Sequence, residues 1–85
     1  MQSVDVEFNH NFDPPDPEMR DFEAARDLEE VPRRGDMLLW TDEVVVGGVK
    51  TDRYREYVVR EVCWAMRPDS VGASVRVRAD FVGEA

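Results

Sequence analysis

The sequence predicts a mainly β domain: a small curved antiparallel sheet or barrel of about five strands, with one short acidic helix that makes the class α+β. Three observations carry this expectation. Residues 53–66 are rich in β-branched and aromatic side chains and contain neither Gly nor Pro, the composition of a long central strand. Residues 3–8 and 73–82 alternate apolar and polar positions, the two-residue period of half-buried strands. Gly47-Gly48 stands between two valine-rich runs, where the two glycines tolerate the positive backbone angles of a type I′ hairpin turn.

The long stretch at 53–66 has a fault in its alternation that is itself informative. Tyr57 and Val59 share one parity, whereas Val62 and Trp64 share the other. One extra residue between Arg60 and Glu61, a β-bulge, restores all four to a single buried face. Val58, Val62 and Ala65 also have helical spacing, but the Val-Val pair and the flanking aromatics favour a strand.

Taken in order, Val4, Val6 and Phe8 form the buried side of the first strand, and Asp5 and Glu7 its solvated side. Residues 9–17 contain three prolines among Asn and Asp and read as a loop. Asp16-Pro17-Glu18 has the form of a helix start, with Asp16 as N-cap and Pro17 at the first helical position. Met19, Phe22, Ala25 and Leu28 follow at three-residue spacing, so a helix is expected over about 17–28. The competing reading is an extended acidic connector. Residues 31–36, containing Pro32 and Gly35, form a turn into a short strand at Met37-Leu38-Leu39-Trp40. A hairpin follows at 43–51, another turn at 67–72, and a last strand whose inward positions are Val75, Val77, Ala79 and Phe81.

At 85 residues the chain is one domain, with a strand and an acidic loop or helix in 1–30 and a β body in 31–82. No stretch reaches the ~20 apolar residues of a membrane helix, and the first residues lack the features of a signal peptide, so a cytoplasmic protein is expected. A single cysteine, Cys63, leaves no internal disulfide and reads as a buried, inert thiol within the long strand. One histidine, His10, leaves no zinc cluster. No metal, cofactor or catalytic residue is therefore expected, because no nucleophile, base and orienting group occur in a recognisable relation.

Charge is the most informative feature for function. Residues 1–30 hold ten acids against two bases, whereas 31–85 hold nine of each, so the first third carries the whole net charge of −8. Such a segment repels nucleic acid and anionic membranes and attracts a basic protein surface. Its plainer role is solubility. The expected contact residues are Asp16, Glu18, Asp21, Glu23, Asp27, Glu29 and Glu30, with Phe12, Trp40 and Trp64 as aromatic anchors unless the tryptophans fill the core. A rival surface consists of Arg53, Arg60, Arg76 and Arg78 interleaved with Tyr54, Tyr57 and Trp64, the vocabulary of a nucleic-acid stacking groove. Asp52, Glu56, Glu61 and Asp80 lie among those arginines and cancel them, and a solvated cross-strand network of Arg and Glu pairs is the favoured account. A structural or assembly accessory is the third class.

Three groups of residues together resemble small SH3-like or open β-barrel proteins encoded by bacteriophages and other mobile elements. They are Pro32, Arg33, Gly35 and Asp36; then Tyr57, Val59, Val62 and Trp64; then Val75, Val77, Ala79 and Phe81. The resemblance covers the last two thirds of the chain and implies a fold, with no catalytic residue. With ten arginines to one lysine, small size and acidity, it also resembles phage proteins that block a host protein by occupying its basic surface, in some cases as nucleic-acid mimics.

Overall fold

A computed structural model describes residues 2–17, 19–66, 68 and 73–84. Five strands form one strongly curled half-barrel sheet: β1 (Gln2–Asn9), β2 (Phe22–Leu28), β3 (Met37–Val46), β4 (Val49–Met66) and β5 (Ala73–Glu84). Their order across the sheet is β2-β1-β5-β4-β3. The described residues contain no helix, and so none that could cross a membrane.

The expectation of a helix over 17–28 is corrected here, because residues 22–28 pair antiparallel with β1, from Gln2 opposite Leu28 to Phe8 opposite Phe22. The apolar residues of this segment satisfy two periods at once. Phe22, Ala24 and Leu28 are half-buried at even spacing, and pairing with the free edge of β1 decides in favour of the strand. A trace of the expected helix start survives as a turn in which the Met19 N–H donates to the Asp16 carbonyl at 3.0 Å.

The sheet is mixed rather than wholly antiparallel, because β1 runs parallel to β5 from Val4 opposite Val75 to Asn9 opposite Asp80. β5, not the longer β4, is the middle strand. Its Val75, Val77 and Ala79 join Val4, Val6, Phe8, Tyr57 and Val59 as the buried core. The proposed bulge is present: the β4–β5 register shifts between Val59 and Glu61, with a second shift at Glu56/Tyr57. The bulge brings Val62 against the core, but Trp64, although opposite the buried Val75, remains 49% exposed on the part of β4 beyond Val58 that β3 does not reach, so the expected burial of all four residues fails at the last. Cys63 is also exposed rather than buried, since it lies on the other parity from Val62.

The hairpin forms as expected, with Val46 opposite Val49 and Gly47 and Gly48 at φ 58° and 80°. It is not a separate element, since β3 continues without a break from Met37 through Val46. The 31–36 turn also forms. Gly35 adopts φ 94°, the Arg33 N–H donates to Asp36 Oδ2 at 2.8 Å, and Gly35 N–H and Val59 N–H donate to the carbonyls of Val59 and Asp36 respectively, each at 2.9 Å. The turn expected at 67–72 lies, apart from Pro68, outside the described residues.

The radius of gyration is 15.1 Å, against about 12 Å for a compact chain of this length. The molecule is 53 Å long, the reach of the 18-residue β4. The core covers only its middle, so the β3–β4 hairpin overhangs at one end and Ala65–Met66, beyond the pair of Trp64 with the buried Val75, at the other.

Candidate functional site

The inner face of the half-barrel is filled by aromatic rings. Phe8 stacks on Phe22 at 4.7 Å between centroids and meets Tyr57 edge-on at 4.7 Å, and Trp40 lies 5.2 Å from Phe8 and 4.9 Å from Phe22. Phe22 and Trp40 come from the two opposite edge strands, so side chains close the gap that the backbone leaves open. The side chain of His10 is fully enclosed, with Nε2 2.6 Å from the Tyr57 hydroxyl. Asp21 Oδ1 accepts the His10 backbone N–H at 2.7 Å and stands 3.4 Å from Nδ1. Burial lowers the pKa of His10 more than Asp21 raises it, and burial raises that of Tyr57.

A second polar group lies farther along this face. Asp42 accepts from Arg53 through two hydrogen bonds at 3.1 and 2.8 Å, and from the buried Arg55 at 3.1 Å. The Arg53 hydrogen bonds are the main cause holding the Asp42 carboxyl below its usual range. Arg55 also lies over the Phe22 ring at 5.6 Å. These contacts make a scaffold; they bring no nucleophile and base together at an open surface.

The acids form a surface along one edge. Asp16, Asp21, Glu23, Asp27, Glu29 and Glu30 are all exposed, in the loop before β2, on β2 and just after it. Glu18 lies outside the described residues. Asp21 is engaged with His10, whereas Glu23, Asp27, Glu29 and Glu30 form no ion pair with a described residue. β1 adds two acids to this outer face, with Glu7 directly opposite Glu23 and Asp5 between Ala25 and Arg76. The alternation of β1 makes both outward; only the pairing of β1 with β2 shows that they extend the acidic surface.

The three aromatic candidates separate. Trp40 is half-buried against the core, with the Arg26 guanidinium 5.7 Å above its ring. Phe12 is 37% exposed and meets Phe81 edge-on at 5.5 Å. Trp64 lines a groove of about 810 Å³ with Val31, Pro32, Arg33, Arg34 and Arg60. Sequence reasoning missed this groove, whose walls are about 30 residues apart in the chain.

The rival arginines do not share a groove. Arg53 is bound to Asp42, and Arg60 lies 3.2 Å from Asp80. Arg76 and Arg78 are exposed on the outer face, Arg76 between Asp5 and Cys63 and Arg78 between Glu7 and Glu61. Of the aromatics expected beside them, Tyr57 is fully buried.

Comparison with protein-family models, curated proteins and solved structures gives no match.

Proposed function

We propose that the chain is a non-enzymatic protein-binding module that meets a basic partner surface with its acidic edge, β2 and the segments flanking it. The observation that carries this reading is the row of exposed carboxylates at Glu23, Asp27, Glu29 and Glu30, none ion-paired with a described residue. Like charges placed directly across a strand pair, as at Glu7 and Glu23, oppose folding. A basic partner offsets that repulsion and is steered toward the edge by it. Phe12 and Trp64 add exposed aromatic surface of the kind that anchors interfaces. The likeness of the strand motifs to phage-encoded barrels extends the proposal to an inhibitor that occupies the basic surface of a host protein.

The test is capture of a partner from lysate on the immobilised chain, followed by its association kinetics with wild type and with a variant carrying Glu23→Gln, Asp27→Asn, Glu29→Gln and Glu30→Gln. Single rim charges are worth under about 1 kcal/mol, so several must change together. The variant is expected to associate at least tenfold more slowly at low salt, and the difference is expected to vanish at high salt, where charges are screened beyond about 3 Å. An unchanged on-rate at low salt assigns the acids to solubility. Binding of RNA or DNA that is lost on substituting Arg76 and Arg78 decides for the nucleic-acid class instead.

A further inference from the structure

The two edges of the sheet are opposite in character. β2 is seven residues long and carries Glu23, Arg26 and Asp27, charges that discourage another strand from adding to it. β3 is ten residues long, with no Lys, Arg, Pro or Gly, and its only charges are Asp42 and Glu43. Asp42 faces inward, held by Arg53 and Arg55, and so does not guard the edge. Leu39 and Val45 are 57% and 69% exposed on the outer face. A long apolar edge of this kind is a template for strand addition.

We propose that β3 pairs antiparallel with β3 of a second copy about a two-fold axis at Asp42, joining two sheets of five strands into one of ten. The hydropathy of β3 is symmetric about that residue: Met37 to Trp40 are apolar, Thr41 to Glu43 polar, and Val44 to Val46 apolar. A two-fold at Asp42 therefore sets Leu38 against Val46 of the second copy, Leu39 against Val45 and Trp40 against Val44, while Thr41 meets Glu43 and Asp42 meets Asp42, each carboxylate already neutralised by Arg53 and Arg55 of its own chain. Shifting the axis to Thr41 would set Leu39 against Glu43 and Trp40 against Asp42.

The backbone is in phase with this register. In a two-residue type I′ hairpin the closing pair, here Val46 and Val49, exchanges hydrogen bonds. The even-numbered residues of β3 are then bonded to β4. Leu39, Thr41, Glu43 and Val45 turn their N–H and C=O groups to the open edge, and these are the residues that the axis at Asp42 pairs with one another. Charge favours the same arrangement. β3 and β4 with their turn carry five acids and four bases, and the two acidic β2 edges end up at the far sides of the joined sheet.

The test is the mass of the full chain by light scattering or sedimentation, from dilute to near-millimolar concentration. Wild type is expected to rise from 9.8 kDa to twice that value; a monomer throughout overturns the proposal and leaves the edge to a strand of another protein. The double variants Leu39→Lys/Val45→Lys and Leu39→Glu/Val45→Glu, both folded by circular dichroism, are each expected to stay monomeric alone and to form a mixed dimer when combined, because each Lys then faces a Glu. A folded lysine variant that still dimerises, or folded variants that fail to combine, overturn the proposal. So does loss of the dimer in a Glu23→Gln/Asp27→Asn variant, which changes only the opposite edge.

Discussion

His10 and Tyr57 show what a single buried pair contributes. The two residues are 47 positions apart, and nothing in the local pattern of either points to the other. Tyr57 was legible as core from its place in an aromatic, β-branched run, but the polar partner that lets its hydroxyl be buried was not. Tyr57→Phe removes that partner from an enclosed imidazole nitrogen, at an expected cost of about 1–2 kcal/mol in denaturant unfolding. The pH dependence follows from the lowered pKa of His10. The unfolded chain binds this proton more readily than the folded one, so the contribution is complete above the ordinary value of 6.5 and is lost as pH falls below it toward the folded value. The depressed Asp42 carboxyl acts in the same sense below its ordinary 3.8. Thermal unfolding should therefore drop in two steps on acidification, and His10→Gln should abolish the first. A first step that persists in this variant assigns it to another group.

Among the elements, β2 shows why local pattern misleads. Met19, Phe22, Ala25 and Leu28 carry a period of three, and Phe22, Ala24 and Leu28 an incomplete period of two. The even series is interrupted by Arg26, which stays exposed with its guanidinium 5.7 Å from the Trp40 ring, a contact that accommodates its charge on that side. No local signal supplies that ring. The bulge in β4 was legible, because the parity of a long apolar run fails at one place. Arg60 is the extra residue, since Val59 lies opposite Ala79 and Glu61 opposite Arg78, so deleting it should remove the bulge and keep Val62 and Trp64 on the face of Val59 in uninterrupted alternation. The expected result is a chain that still unfolds cooperatively, read by thermal melting; loss of the cooperative transition would mean that Arg60 is not the extra residue. Gly47, at φ 58°, is the simpler case: Gly47→Ala should cost about 1–2 kcal/mol through backbone strain, since the space around it is open.

For the whole molecule, alternation identified which face of each strand is buried, and did so well for β1 and β5. It could not identify neighbours. The parallel contact of β1 with β5 joins residues about 70 positions apart, and the same inward valines would serve an antiparallel order. That contact makes β5 the middle strand, leaves β2 and β3 as edges, and separates the acids from the apolar surface. Because the excess charge is gathered on one edge, wild type should melt at a higher temperature as salt is raised, and the four-fold amide variant should show a smaller dependence. Equal salt dependence would mean that repulsion along the edge is negligible. The central claim is that the acidic segment is an edge strand paired on one side only, with β1, and residue-resolved amide exchange over 22–28 tests it most directly. Pairing with β1 alone predicts protection at every second amide, with the intervening ones exchanging as fast as a loop. Protection at consecutive amides through this segment would restore the helix and contradict the account.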